Sequence, residues 1–356
     1  MSVSIDRAIA VKAFDETKAG VKGLVDSGIT SVPFIFHHPT ANLSLPVAAH
    51  LSIPTVDLSL PRPITIDRIR SASRDWGFFQ LINHSIPIST MQSTISAVRA
   101  FHELPTAVRS KHYTRSPVGG VAYLSNGDLF KSSAASWRDT LQISFGPTPP
   151  ELDDIPEVCR SELVKWDESA KEVAREVMSL MCEGLGLGPR SLEELSCLEG
   201  RGMSCHYYPP CPEPNLTVGA GNHTDPVILT VLLQDEIGGL RAKRKVEDGH
   251  EVWVDVKPIP GALVVNVGDL LQIFTNDEFK SVHHQVVANS SDVARVSVAC
   301  FFNPGRREES TTYGPLPELL SSENPPRYRN FTVNDFLGRF LSKELNTKTL
   351  IEFFKL

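Results

Sequence analysis

The chain has 356 residues, of which 41% are hydrophobic, enough to bury the core of one large domain or two smaller ones. Its formal net charge of -7, without a long Lys/Arg run, argues against nucleic acid and anionic membranes as partners, and no apolar run approaches the roughly 18 residues of a membrane span. The N-terminus lacks the apolar core of a signal peptide and the six cysteines lack a Cys-x-x-Cys spacing, so we expect a cytoplasmic protein with reduced thiols.

The first 200 residues are predicted to be mostly helical. Apolar residues recur at helical spacing over residues 4–19, 65–75, 88–103 and 161–187. Residues 53–58 predict an edge strand because Pro54 cannot donate to a ladder, and the aromatic run 77–83 predicts a buried strand. Residues 116–150 are predicted to be irregular, and long irregular segments of this kind are often functional loops.

From residue 203 onward, short apolar runs alternate with turns, which indicates an antiparallel sandwich or barrel. The predicted strands are 203–208, 227–233, 252–256, 262–267, 281–288 and 295–302. Thr332 and Asp335 resemble a capping box that begins a last helix. We therefore predict an α+β chain with a mainly β core. A helical and mixed N-terminal region (1–200) should pack on a catalytic core (201–305), and a helical C-terminal extension (306–356) should follow.

Residues two apart in a strand share a face, so His223 and Asp225 could bind one ion. Alone the pair is weak evidence, because about one His-x-Asp/Glu is expected by chance and a strand-end turn would also explain it. A second imidazole, in the later predicted strand 281–288, strengthens the case. Two imidazoles and one carboxylate leave three positions of an iron open, for oxygen and a chelating co-substrate, whereas a structural zinc site fills its coordination sphere.

Arg295 and Ser297 share a face of the next predicted strand. A guanidinium fork with a hydroxyl beside it suits a carboxylate. The alternative, a surface ion pair, fits less well because residues 293–302 are otherwise largely apolar. The sequence thus predicts three metal ligands followed by an anchor for an acidic co-substrate.

Ordered motifs extend this pattern over nearly the whole chain. They include Tyr207-Tyr-Pro-Pro-Cys-Pro, His223-Thr-Asp, Val264-Val-Asn-Val-Gly-Asp, Ser281-Val-His-His and Arg295-Val-Ser. In order and spacing they resemble the plant iron(II)/2-oxoglutarate-dependent dioxygenases. Upstream, Trp76-Gly-Phe-Phe-Gln-Leu-Ile-Asn-His and Trp137-Arg-Asp-Thr resemble the subgroup of aminocyclopropane-carboxylate oxidase homologues.

That resemblance implies a distorted double-stranded β-helix (jelly roll) with flanking N-terminal and C-terminal helices. It implies Fe(II) held by His223, Asp225 and His284, and 2-oxoglutarate whose far carboxylate meets Arg295 and Ser297, with Tyr208 as a further hydroxyl donor. The family pattern Ser-Val-x-His selects His284, and strand alternation then turns His283 to the opposite face.

The resemblance also implies an oxidoreductase that uses O2 and 2-oxoglutarate as co-substrates, with ascorbate as an assay reductant. The implied reaction hydroxylates or otherwise oxidises a small plant specialised metabolite, such as an indole, benzoxazinoid or alkaloid, and releases succinate and carbon dioxide. We expect a monomer whose chemistry rests on the iron centre, with no separate acid or base.

Four positions depart from the family pattern, namely His206, Gln285, Ser85 and Gly127. Gly127 could widen the substrate pocket or simply loosen a loop. Phe301 resembles a pocket aromatic but could equally belong to the core, and Tyr123 is a further pocket candidate. We expect residues 116–131 to line the mouth of the pocket.

Three other functions share these residues. An aminocyclopropane-carboxylate oxidase would use ascorbate instead of 2-oxoglutarate, but the upstream motifs favour the homologue subgroup. A binding protein could sense a small hormone-like ligand, but the intact ligand set argues against it. A zinc hydrolase could use the same three ligands, but Arg295 and Ser297 would then lack a role.

Overall fold

The computed structural model describes residues 2–39, 46–116, 119–308, 310–342 and 349–356. The α-helices in these residues are α1 Ser2–Glu16, α2 Gly20–Asp26, α3 Arg62–Asp75, α4 Ile88–His102, α5 Thr106–Arg109, α6 Glu157–Gly184, α7 Ser191–Glu194, α8 Asp269–Phe274 and α9 Val333–Ser342. The strands are β1 Thr55–Asp57, β2 Phe78–Ile82, β3 Val121–Leu124, β4 Asp139–Ser144, β5 Gly200–Tyr208, β6 Val218–His223, β7 Leu229–Gln234, β8 Leu240–Lys245, β9 Glu251–Asp255, β10 Leu263–Val267, β11 His284–Val287 and β12 Arg295–Asn303. Within the described ranges, no helix combines the length and the apolar character needed to cross a bilayer.

The strands form two sheets. The larger has the order β1-β2-β10-β7-β12-β5-β4-β3, and the smaller has the order β6-β11-β8-β9. Side chains from both sheets form one apolar cluster, which includes Phe78 and Tyr208 from the larger sheet and Ala220, Leu240 and Val286 from the smaller. The predicted fold class, a jelly roll with flanking helices, is confirmed.

Helices α3, α4 and α6 cover the outer face of the larger sheet. The long helix α6 packs against α3 and α4, and its Trp166 lies in the same core cluster as Phe101 of α4 and Val298 of β12. β12 pairs with β5 along its whole length, from Arg295 opposite Tyr208 to Asn303 opposite Gly200. This long pairing fixes the inward face of both strands, on which the site is built.

The N-terminal helices pack on the segment that leads into β4. Phe14 of α1 meets Phe36 edge-on at 5.3 Å between ring centroids, and Phe36 meets Trp137 at 5.1 Å. Both oxygens of Asp139 accept hydrogen bonds at 2.8 Å from the backbone N–H groups of Val21 and Lys22, at the start of α2. Helix α2 therefore holds the first residue of β4 in place.

Residues 116–150 were predicted to be irregular, and this prediction is wrong in part because they contain β3 and β4. β3 has 4 residues and β4 has 6, so each is too short for its apolar pattern to decide the prediction. The sequence also missed β6, because Gly219 and Gly221 are poor strand formers. A side chain at 219 would meet the Tyr208 ring at 2.8 Å, so packing against Tyr208 requires the glycine.

Other local predictions are confirmed. β1 is an edge strand of the larger sheet. The backbone N–H of Asp335 donates to the Thr332 hydroxyl at 3.1 Å, as expected for the cap of α9. The division at residues 200 and 305 stays a prediction, although β1, β2, β3 and β4, all from before residue 200, belong to the larger sheet.

Candidate active site

Strands β6 and β11 bring three potential metal ligands together. His284 at the start of β11 pairs directly with His223 at the end of β6, and Asp225 follows two residues after β6. Oδ1 of Asp225 lies 3.6 Å from Nε2 of His223 and 3.5 Å from Nε2 of His284. All three possible ligand atoms lie within 4.8 Å of one another.

Backbone carbonyls orient both imidazoles. Nδ1 of His223 lies 2.7 Å from the carbonyl oxygen of Gly221, and Nδ1 of His284 lies 3.1 Å from that of Val282. A carbonyl can only accept, so Nδ1 carries the proton and donates in both rings. Nε2 of each ring therefore faces Asp225, and this is the nitrogen that would bind a metal once it carries no proton.

The carboxylate of Asp225 is oriented by two neighbouring strands. Its Oδ2 accepts from the Thr230 hydroxyl of β7 at 2.7 Å and from the Asn266 amide of β10 at 2.8 Å. Oδ1 is thereby left for the two imidazoles. The sequence does not reveal these two roles, because the contact of Thr230 depends on the turn between Asp225 and β7 and that of Asn266 on the pairing of β10 with β7.

The electrostatics of this buried group favour an ionised carboxylate. Burial alone would raise the pKa of Asp225, but the imidazoles of His284 and His223 and the Thr230 hydroxyl outweigh it and hold the pKa below its usual range. Burial would lower the pKa of His284, but the charge of Asp225 and the hydrogen bonds to Asp225 and to the Val282 carbonyl together raise it. A cation bound here would replace the proton on His284 as the partner of Asp225.

A second charged group lies on the paired strands β5 and β12. Arg295 is 2% exposed and donates to the Ser297 hydroxyl at 3.1 Å and to the side-chain oxygen of Gln234 at 2.9 Å. Its guanidinium carbon stands 4.8 Å from the centroid of the Tyr208 ring. Its Nε is buried without a hydrogen-bond partner, and none of the described carboxylates forms an ion pair with Arg295.

The histidine cluster and Arg295 line one cleft between the two sheets. The apolar part of its wall includes Phe78, Leu232, Leu240, Val286 and Phe301, and its other polar residues include Arg138 and His206. Nδ1 of His206 lies 2.9 Å from the Thr140 hydroxyl. Burial, with the nearby charges of Arg138 and Arg295, holds the pKa of His206 well below its usual range, so this ring is neutral.

The three sequence-predicted pocket residues lie in different places. Phe301 lines the cleft. Tyr123 instead lies in the core outside it, where β3 turns its ring edge-on toward Phe101 at 5.5 Å. Gly127 lies on an exposed turn and is not part of the cleft wall. The sequence does not reveal the position of Tyr123, because that position depends on the pairing of β3 with β4.

His283 and His84 have other partners. Nδ1 of His283 lies 3.0 Å from the Asn222 side-chain oxygen, so His283 is turned away from the ligand cluster that its neighbour His284 joins. Nε2 of His84 lies 3.0 Å from the carbonyl oxygen of Gly261. This contact gives His84 a structural role just after β2.

Two family matches cover most of the chain. Residues 200–304 match the 2OG-Fe(II) oxygenase superfamily, and residues 53–161 match the N-terminal region described as "non-haem dioxygenase in morphine synthesis N-terminal". The chain is 46% identical to 1-aminocyclopropane-1-carboxylate oxidase homolog 3 of Arabidopsis thaliana, over 99% of this chain and 97% of the relative. It is 42% identical to a probable 2-oxoacid dependent dioxygenase of the same plant, over 99% of each.

Solved structures agree with these matches. The crystal structure of JOX2 in complex with 2OG, Fe and JA has a TM-score of 0.83 and 29% identity, covering 95% of this chain and 97% of that one. The dioxygenase for auxin oxidation in rice has a TM-score of 0.70 and 25% identity, covering 85% and 100%. The chain therefore belongs to the 2OG-Fe(II) oxygenase superfamily, among the plant aminocyclopropane-carboxylate oxidase homologues, and is an iron(II)- and 2-oxoglutarate-dependent dioxygenase.

Proposed function

We propose that His223, Asp225 and His284 hold the Fe(II) of this enzyme and that Arg295 and Ser297 bind the far carboxylate of 2-oxoglutarate. The enzyme hydroxylates a small plant specialised metabolite, such as an indole, benzoxazinoid or alkaloid. Succinate and carbon dioxide are the other products. The substrate enters the cleft between the two sheets, where Phe301 supplies part of the apolar wall.

The three proposed ligands suit iron. Two neutral imidazoles and one carboxylate are donors that Fe(II) accepts, and a set of three on one side leaves open positions. Bound there, Fe(II) would supply the redox chemistry that couples decarboxylation of 2-oxoglutarate to oxidation of the substrate by O2. The protein's own part is to fix the ligand atoms. A backbone carbonyl accepts from Nδ1 of each imidazole, and Thr230 and Asn266 donate to Oδ2 of Asp225.

Arg295 is the single observation that carries the co-substrate assignment. A guanidinium buried to 2% exposure without an ion pair is costly unless an anion joins it. Ser297 stands beside it and Gln234 holds one of its nitrogens, so the fork is fixed before any ligand arrives. A carboxylate that enters the cleft can accept from the guanidinium and the hydroxyl together.

The same observation separates this function from a metal-dependent hydrolase on the same three ligands. Hydrolysis at a metal needs a bound water, and a second, buried cationic site in the same cleft takes no part in that step. For a dioxygenase, the cluster and Arg295 serve the two ends of one co-substrate.

Arg295→Gln tests the assignment. We expect the Kd of 2-oxoglutarate for the Mn(II)-loaded protein to rise about 10–100-fold, the loss typical of a charge-assisted hydrogen-bonded anchor. Arg70→Gln is the matched control, because Arg70 lies on the surface near Glu278, outside the cleft. Calorimetric titration gives both constants, and Mn(II) affinity should be unchanged. Unchanged 2-oxoglutarate affinity in Arg295→Gln would contradict the proposal.

The substrate class is tested separately, by succinate formation. The iron-loaded enzyme should form succinate slowly without substrate and faster with a true substrate, from which a product one oxygen heavier appears in the mass spectrum. Indoles, benzoxazinoids and alkaloids are assayed in turn. Stimulation by none of them would rule out the substrate class while leaving the iron and 2-oxoglutarate sites untouched.

A further inference from the structure

A second arginine lines the cleft, and the co-substrate does not account for it. Arg138 is half-buried and contributes to the cleft wall together with His206, Tyr208 and the proposed metal ligands. Burial lowers the pKa of His206, and the positive charge of Arg138 lowers it further. The two side chains line the same cleft.

Strand alternation explains why Arg138 faces inward. Residues 138 and 140 share a face of the chain as it enters β4, and residue 139 takes the other. The Thr140 hydroxyl meets His206, which lines the cleft, whereas the Asp139 carboxylate reaches outward to the backbone of α2. Helix α2 thus fixes the outward residue, and the arginine beside it projects into the cleft.

Arg138 has no anionic partner of its own. Within the described ranges, no carboxylate lies at ion-pair distance from it, and its Nε is buried without a hydrogen-bond partner. The adjacent carboxylate, Asp139, already serves two backbone donors. The guanidinium is therefore free to bind an anion, as Arg295 is, but from a different strand.

The two arginines are not equivalent. Arg295 is clamped by Ser297 and Gln234, which suits a co-substrate that every catalytic cycle uses. Arg138 has no comparable side-chain clamp, and the remaining wall is mainly apolar, with Phe78, Leu232 and Phe301. An apolar pocket with one free guanidinium suits an aromatic or aliphatic ligand that carries one acid group.

We propose that Arg138 recognises a carboxylate on the primary substrate, so that the enzyme acts on small apolar acids in preference to their neutral forms. This inference rests on the proposed function, because it leaves Arg295 to 2-oxoglutarate. It narrows the substrate to the acidic members of the proposed metabolite classes. It also gives α2 a positioning role, since α2 holds the residue next to Arg138.

Matched acid and amide pairs test the proposal by binding, without turnover. The full chain is loaded with Mn(II) and 2-oxoglutarate and titrated calorimetrically with indole-3-acetate and indole-3-acetamide, indole-3-carboxylate and its carboxamide, and cinnamate and cinnamamide. At least one acid should bind wild-type protein about tenfold more tightly than its amide. Arg138→Gln should weaken that acid about tenfold and leave the amide unchanged, and Arg138→Lys should fall between because it keeps the charge and loses the fork.

Arg70→Gln is again the control and should keep the acid preference, and unchanged melting temperatures show that the variants fold. The proposal is overturned if no acid is preferred by wild-type protein, or if Arg138→Gln keeps the preference. It is also overturned if Arg138→Gln loses 2-oxoglutarate affinity, which would assign the guanidinium to the co-substrate. Failure of the proposed function is a different result, namely wild-type protein that does not bind 2-oxoglutarate.

Discussion

The hydroxyl of Thr230 offers a sharp test of how the protein prepares its metal site. It donates to Oδ2 of Asp225 at 2.7 Å, and Asn266 donates to the same oxygen at 2.8 Å. These two bonds leave Oδ1 directed at the imidazoles. Thr230→Val removes one donor and keeps the branched shape that β7 packs around, so the change is confined to the orientation of Asp225.

The expected magnitude follows from the kind of bond that is lost. A hydrogen bond to a charged acceptor contributes about 1.5–3 kcal/mol, and loss of such support typically weakens metal affinity by about 10–100-fold. Because Asn266 still holds Oδ2, we expect the lower part of that range. The carboxylate keeps its charge, so binding is weakened and not abolished.

Cobalt(II) is a suitable probe because its visible absorption reports the ligand set and it does not oxidise readily. Thr140→Val is the matched control, because it also removes a buried strand hydroxyl, but that hydroxyl contacts His206 and not Asp225. The Kd of Co(II) should rise about tenfold in Thr230→Val and stay constant in Thr140→Val. Equal Co(II) affinities in the two variants would refute the orienting role of Thr230.

Three further predictions concern stability. Ser85 has a φ of 66°, where glycine is less strained, so Ser85→Gly should raise the free energy of unfolding by up to about 1 kcal/mol in denaturant titrations; a loss would contradict the strain. Burial lowers the pKa of His102 to about 3, so the folded protein loses stability as the pH falls from 6.5 toward 3. At pH 5 the free energy of unfolding should be about 2 kcal/mol lower than at neutral pH on account of this group. The loss between pH 7.5 and pH 5, measured by denaturant titration, should be smaller by that amount in His102→Gln. Asp139→Ala should lower the free energy of unfolding by about 2–4 kcal/mol and speed hydrogen exchange at the Val21 and Lys22 amides. Unchanged exchange at these amides would contradict their hydrogen bonds to Asp139.

Residues that act through sequence-local geometry could be predicted. Arg295 and Ser297 are two apart in a predicted strand, so strand alternation predicts that they share a face; His223 and Asp225 have the same spacing, although Asp225 lies just beyond the end of β6. The ordered motifs then supplied His284. The departure at Ser85 was also visible in the sequence, and its cost becomes clear only with the positive φ at that position.

Residues that act across the sheet could not be predicted. Asn266 reaches Asp225 because β10 lies beside β7, and Gln234 reaches Arg295 because β7 lies beside β12. Sequence periodicity describes one strand at a time and does not say which strands are neighbours. For the same reason the sequence does not show that Tyr123 lies outside the cleft. The pairing of β3 with β4 places its side chain in the core cluster that contains Phe101 and Trp166.

The charges of the cleft bear on both proposals together. Its wall carries one carboxylate, Asp225, and two guanidinium groups, Arg138 and Arg295, while metal ligation requires His223 and His284 to be neutral. Fe(II) and doubly charged 2-oxoglutarate cancel each other, so one positive charge remains in a largely apolar enclosure. Such a charge is costly without a partner, and an acidic substrate would supply one when it enters the cleft. Preference for an acid over its amide should therefore be greater with both 2-oxoglutarate and metal bound than with 2-oxoglutarate bound at Arg295 and the metal site empty. Without the cation a proton returns to His284, so the cleft carries no net positive charge to attract the acid.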